Sequence, residues 1–214
     1  MNYRNINIRW LGHAGFLIKN NKNIYIDPYQ IKGEEKADII LITHGHYDHC
    51  SIEDIQKIVK DKTIIVIPAD CQSKINKLSQ DLDVHIISPG EVMSLNGIKV
   101  FAYPSYNIDK EFHPKEEGWN SYVLDILGVR VYHAGDTDLI PEMSHLEDID
   151  IAMLPVGGKF TMNAEEAAQA ASIIKPGIAI PMHYGSIVGT KDDAEKFSKL
   201  CREKGIKSEI LEKE

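Results

Sequence analysis

The stretch Ile39-Ile40-Leu41-Ile42-Thr43-His44-Gly45-His46-Tyr47-Asp48-His49 decides how this chain is read. Its first four residues form a continuous apolar run, the pattern of a strand covered on both faces. Four potential metal ligands then fall within six residues, at His44, His46, Asp48 and His49. Zinc and similar ions take imidazole nitrogen and carboxylate oxygen, and three such ligands leave a coordination position open for chemistry. On an extended segment His44 and His46 point to the same side. Asp48 and His49 lie past a turn, where they can reach a second ion. A packed core has no use for three imidazoles and a carboxylate so close together, because burying them unpaired is costly. The bland alternative is a polar surface loop that happens to be rich in histidine.

Outward from this stretch, most of the chain reads as short strands with helices between them. Upstream, Ile6, Ile8 and Trp10 alternate as in a half-buried strand. Strands at 16–18 and 24–26 flank Asn20-Asn21-Lys22-Asn23, a hairpin turn. Downstream, Ser51 is an N-cap for a helix over 52–59, whose apolar residues Ile52, Ile55, Ile58 and Val59 have helical spacing. A strand at 63–67 and a short helix at 72–78 follow. Strands are expected at 84–87, 91–95 and 98–103, with Asn96-Gly97 turning between the last two. In the second half, 121–126 and 129–132 form a hairpin through Leu127-Gly128, and 151–154 is a strand. Asn163 with Glu166 three residues on is a capping box for an alanine-rich helix ending before Pro176. A strand at 178–180, a helix from the Thr190 cap to about 203 and a final strand at 206–211 complete the expectation. Helices in both strand-rich halves imply a layered mixed α/β (α+β) fold, two sheets packed face to face and covered by helices; the pattern leaves the topology open.

The 214 residues suffice for one well-buried domain, so a single domain over 1–214 is expected. With 43% hydrophobic and 26% charged residues, the composition is that of an ordinary globular protein. No apolar run approaches a membrane span, and the start shows no signal peptide, so a cytoplasmic location is expected. The net charge of -8 fits poorly with a phosphate backbone and argues against nucleic acid as partner. Cys50, Cys71 and Cys201 are odd in number and far apart, which reads as reduced thiols rather than a disulfide framework.

His-x-His-x-Asp-His after an apolar strand resembles the second motif of the metallo-β-lactamase superfamily, and the other motifs of that family can be sought in order. Asp27, in Ile24-Tyr25-Ile26-Asp27-Pro28, matches the first. The resemblance makes it a residue behind the ligands that orients the metal histidines, since a carboxylate accepting an imidazole N–H fixes the tautomer. Asp136, in Tyr132-His133-Ala134-Gly135-Asp136-Thr137, matches the carboxylate that bridges both metals in the family. His183, in Ile180-Pro181-Met182-His183-Tyr184, matches the late histidine of the second metal. The third motif departs from the pattern: a strand-tip histidine is expected, but the chain has Ala102-Tyr103-Pro104-Ser105. The nearest candidate is His113, in Phe112-His113-Pro114-Lys115.

Trp10-Leu11-Gly12-His13-Ala14-Gly15-Phe16, together with the segments around Asp136 and His183, is similar to the compact branch of ascorbate-6-phosphate lactonase-like hydrolases. The likeness covers about residues 6 to 185. It implies a four-layer αββα sandwich with the site at one edge between the sheets. His13 then lies near the metals, as a substrate contact or a neighbour of the ligands. His133 reads as structural, and His85 and His145 serve no site. Gly157-Gly158-Lys159 reads as a turn or a loop near the metals, and Lys110, Lys115 and Lys159 as surface lysines or contacts to an anionic substrate.

The function this implies is a metal-dependent hydrolase whose metal-bound hydroxide cleaves an ester, lactone or phosphodiester of a small molecule. Two divalent ions are expected, zinc by default, with manganese or iron tolerated by the same donors. Asp48 and His13 are the candidate catalytic residues. The rival is a non-catalytic metal- or ligand-binding regulatory protein on the same fold. A homo-oligomer is compatible with the sequence; a membrane partner is not expected.

Overall fold

The computed structural model describes residues 1–32 and 35–214. The described residues divide into two compact units, Met1–Ser88 with Glu212–Glu214, and Pro89–Leu211. Together they hold two sheets and four α-helices, and none of those helices is long and apolar enough to cross a membrane.

The first unit is built on a seven-stranded sheet in sequence order: β1 (Asn2–Tyr3), β2 (Ile6–Gly12), β3 (Gly15–Lys19), β4 (Asn23–Ile26), β5 (Ile39–Leu41), β6 (Ile64–Ile67) and β7 (Asp83–Ile86). The first four run antiparallel, and β5, β6 and β7 then follow β4 in parallel. Parallel neighbours need crossovers, and helices α1 (Ile52–Ile58) and α2 (Gln72–Ile75) lie in two of them. Helix α1 starts as its sequence implies. The Ser51 side chain accepts the Asp54 N–H, and Glu53 and Asp54 put negative charge at the positive end of the helix. Its Ile55 and Ile58 are buried in a core with Leu17, Tyr25, Ile40 and Ile65. Each such side chain contributes on the order of 2 kcal/mol by leaving water, so a polar residue at Ile55 would detach the helix.

Asp54 has a second task. Its carboxylate accepts the backbone N–H groups of Gln30 and Ile31 and the side chains of Ser51 and Lys57. Burial opposes ionisation, but these donors together hold its pKa below the ordinary carboxylate value.

The second unit follows the same course on a six-stranded sheet: β8 (Val92–Leu95), β9 (Ile98–Pro104), β10 (Asn120–Ile126), β11 (Val129–His133), β12 (Ile151–Pro155) and β13 (Ile178–Met182). Here β8 to β11 are antiparallel, and β12 and β13 continue in parallel. The expected turns at Asn96-Gly97 and Leu127-Gly128 have positive φ at both residues, the conformation a tight hairpin needs. Helix α3 (Ala164–Ile174) opens with the anticipated Asn163–Glu166 capping box and buries five alanines, small enough for close packing on β12 and on helix α4 (Lys191–Glu203). Helix α4 buries Ala194, Phe197, Ser198 and Cys201, one face at helical spacing.

Two expectations are corrected. The helix expected over 72–78 is only Gln72–Ile75, preceded by a 3-10 turn at Ala69–Cys71. No strand forms at 206–211. Ala179 donates to Lys207 O and accepts from Glu209 N, which makes one bridge to Ser208 and no ladder. All three cysteines are buried free thiols, and burial pushes the Cys201 thiol up to about 11.

Candidate functional site

In the first unit the chemistry-bearing residues follow the carboxyl ends of strands, where parallel sheets present ligand sites. Asp27 follows β4, and the Thr43–His49 segment follows β5. Asp27 is fully buried and its acceptors are well used. Oδ1 accepts the Thr43 N–H at 2.8 Å, and Oδ2 accepts the Thr43 hydroxyl at 2.6 Å and the His49 Nδ1–H at 2.7 Å.

These bonds fix two tautomers. A carboxylate only accepts, so His49 carries its proton on Nδ1 and turns a lone pair outward on Nε2. The Thr43 hydroxyl has one proton, which goes to Asp27. Its oxygen therefore accepts from His44 Nδ1, 2.9 Å away, leaving the His44 lone pair on Nε2. That nitrogen lies 3.1 Å from His46 Nδ1. His13, Asp48 and His49 each offer a ligand atom within 4.8 Å of the others. His13 Nε2 is 2.9 Å from Asp48 Oδ2, and His49 Nε2 is 3.7 Å from the same oxygen. Aromatic edges surround them: Tyr29 meets the His13 ring at 5.8 Å between centroids and Tyr47 at 6.0 Å. Burial, helped by Tyr47 and Asp48, raises the Tyr29 phenol above its ordinary pKa.

In the second unit Asp136 follows β11 and His183 follows β13. Both are buried, and His183 Nε2 lies 3.0 Å from Asp136 Oδ2. His113 joins them from the loop after β9, its Nε2 3.3 Å from the same oxygen. The loop is clamped at its base. Asn107 N–H donates to His113 O at 2.7 Å, and Asn107 Oδ1 accepts both the backbone N–H and Nδ1–H of His113, at 3.0 and 2.8 Å. Asn107 Nδ2 donates to Phe160 O at 2.9 Å, which settles which end of the amide is oxygen. His113 therefore presents a lone pair to Asp136 Oδ2. Two acceptors facing each other at 3.3 Å repel unless a cation joins them, either a metal ion or a second proton.

The backbone is also unusual at these residues. His13, Asp27 and His183 all have positive φ, at 52°, 44° and 59°. That region disfavours residues with a Cβ, and such strain gathers at functional sites. Glycines make room for the rest. A Cβ on Gly157 would lie 2.6 Å from the His183 carbonyl, and one on Gly45 would run into the Asp70 carboxylate.

The other sequence candidates fall outside these clusters. His133 accepts the Gly135 N–H on Nδ1 and so shapes the turn before Asp136, a structural part as expected. His85 pairs with Asp83. Lys110 pairs with Asp138, and Lys115 with Glu142 and Tyr106. Lys159 sits 4.9 Å over the Phe160 ring. Sequence reasoning missed Thr43 and Asn107. A hydroxyl residue directly before His44 was a signal for the first; nothing in the sequence marks the second.

A model of the β-lactamase superfamily domain matches residues 7–183, a span that contains every donor described above. The chain belongs to the metallo-β-lactamase superfamily. It is 38% identical to a UPF0173 metal-dependent hydrolase from Thermoplasma acidophilum, over 92% of this chain and 91% of the relative. A UPF0173 metal-dependent hydrolase from Thermococcus onnurineus is 35% identical over 96% and 95%. Among solved structures, a candidate metal-dependent hydrolase from Parabacteroides distasonis superposes with a TM-score of 0.86 at 34% identity, covering 97% and 94% of the two chains. A candidate zinc-dependent hydrolase of the metallo-β-lactamase superfamily from Thermotoga maritima gives 0.62 at 26% identity, covering 91% and 85%. The metallo-β-lactamase fold class expected from the sequence is thus borne out, and many of the chain's relatives are named metal-dependent hydrolases.

Proposed function

We propose that the chain is a hydrolase of small-molecule esters, lactones or phosphodiesters working with two divalent ions. In this reading the metal ligands are His44, His46, Asp48 and His49 of the first unit and His113, Asp136 and His183 of the second. The observation that carries the reading is the pairing of acceptors: an Nε2 lone pair of fixed tautomer turned toward a buried carboxylate oxygen is a demand for a cation. The donor set of imidazoles and carboxylates suits zinc, which the Thermotoga relative's description supports, and manganese or iron accept it as well.

When bound, such ions supply Lewis acidity and lower the pKa of the water they hold. The chain's own residues do the rest. Asp27 with Thr43, and Asn107 in the second unit, hold three imidazoles in the tautomer that leaves Nε2 unprotonated. Asp48 is the group that holds and passes the proton of the attacking water, and His13, bonded to Asp48, assists departure of the leaving group.

The test is metal analysis of the purified protein, followed by assays on a lactone, a phosphodiester and a phosphonate. Two ions per chain and turnover of one class are expected, with Asp136→Asn and His46→Ala lowering both together. Full metal with turnover unchanged in both variants would defeat the assignment. Metal-loaded protein inert toward every class would favour a non-catalytic metal- or ligand-binding role.

A further inference from the structure

The turn that carries Asp136 and the loop that carries His113 are stitched together by more than the histidine. The Ser105 hydroxyl donates to Asp136 O at 3.0 Å. The buried Thr137 hydroxyl accepts the Tyr106 N–H at 3.3 Å and lies 3.0 Å from Tyr106 O. Asp138 then grips the loop at three points. Its N–H donates to Tyr106 O at 2.9 Å, its Oδ2 accepts the Ile108 N–H at 2.9 Å, and its Oδ1 accepts from the Lys110 ammonium.

The ion pair is a poor choice for stability alone. Asp138 is only 5% exposed, and taking a carboxylate out of water can cost more than pairing returns. Asp109 and Glu111 lie exposed on either side of Lys110, yet its ammonium turns inward to Asp138. What a buried pair supplies instead is a fixed register. Register is what His113 needs. Its Nε2 and Asp136 Oδ2 are both acceptors, 3.3 Å apart, and they repel until a cation joins them. Asn107 sets the tautomer, but it ties the loop to itself and to Phe160. Asp138 sits two residues from Asp136, so its grip on the loop sets the distance between the two donors.

We infer that Asp138, with Lys110, is a positioning residue that latches the His113 loop to the Asp136 turn and so presets His113 Nε2 against the Asp136 carboxylate for a cation. The inference rests on the metal-dependent reading for the ion, but the latch is tested without the ion as well. Zinc affinity of the full chain, by chelator competition, is measured for Asp138→Asn and Lys110→Met, each in the parent and in a His113→Ala background.

Both substitutions should weaken zinc about tenfold in the parent, as loss of a partner behind a ligand does, and less than about twofold once His113 is gone. The same loss in both backgrounds would mean that the pair only stabilises the fold, and would overturn the inference. Unchanged affinity in either variant would overturn it too. If Asp138→Asn does not fold, Lys110→Met decides by the same criterion. Nitrogen NMR of the histidine side chains in chelator-treated protein supplies the arm without metal. His113 should show a single Nδ1–H tautomer in the parent and an averaged one in Lys110→Met; the same single tautomer in both would sink the latch. A parent that binds no zinc would remove the metal reading and leave this second comparison to decide the latch.

Discussion

The two units run the same course, four antiparallel strands and then parallel ones, yet they deliver their donors differently. The first packs four of them into His44–His49, one turn after a strand. The second gathers His113, Asp136 and His183 from three separate loops onto a single carboxylate oxygen. In the first, spacing along the chain does most of the geometric work. In the second, only the sheet and the loop clamps can do it. The first arrangement tolerates movement of the frame; the second depends on it.

The largest effects should come from breaking each donor set at its centre. Asp136→Asn, which removes charge from the oxygen that meets two imidazoles, should cost well over about a hundredfold in turnover and deplete metal, more than the roughly 10–100-fold typical of residues behind the ligands. His46→Ala, at a half-buried edge of the first set, should cost less. Metal content by emission spectroscopy alongside turnover would rank them, and the opposite order would mean that the first unit carries the tighter ion.

Next come the residues that hold the imidazoles. Asp27→Ala and Asn107→Ala should each weaken metal affinity by about 10–100-fold in a chelator competition. Asn107→Ala without effect would show that His113 is not a held ligand, leaving the second unit with Asp136 and His183 alone. Smaller still is the contrast in space. Gly157→Ala drives a Cβ against the backbone carbonyl of His183 and should cost about 1–3 kcal/mol. Gly45→Ala meets the end of the Asp70 side chain, which can swing away, so its melting temperature should fall less.

The smallest effect concerns pH. The Asp54 pKa is lowered in the folded state, so the carboxylate stabilises the first unit above the unfolded value of about 3.9. That contribution fades as pH drops from there through the lowered native value. Asp54→Asn should therefore flatten the acid limb of the stability curve below about pH 4 and lower stability at neutrality. An acid limb with the parent's slope would show that the Gln30–Ile31 turn is held by something else.

Much of this was legible in the sequence, for reasons that track the comparison. The His44–His49 motif was readable because its geometry is local, and Asp27, Asp136 and His183 because each follows a strand end in family order. His113 was found only as the nearest histidine to a missing one. Its link to Asp136 depends on Asn107, whose amide reaches across six positions of loop and leaves no periodic trace. The strand expected at 206–211 failed because Ile206, Ile210 and Leu211 look like an edge strand, while a single residue, Ala179, takes both available backbone bonds. Thr43 was overlooked because it lies between the apolar strand and the first histidine, although its one hydroxyl proton decides the His44 tautomer.

A histidine fixed at the tip of a strand lets the neighbouring loop vary in length and composition without disturbing the ion. Here His113 closes the very loop that bears Ile108 and Phe112, with Asn107 as the other half of the clasp. An insertion or deletion between 107 and 113 would therefore shift His113 along with the surface around it. Exchange of the exposed side chains at 108 and 112 is therefore expected to be tolerated where a change in the length of that loop is not.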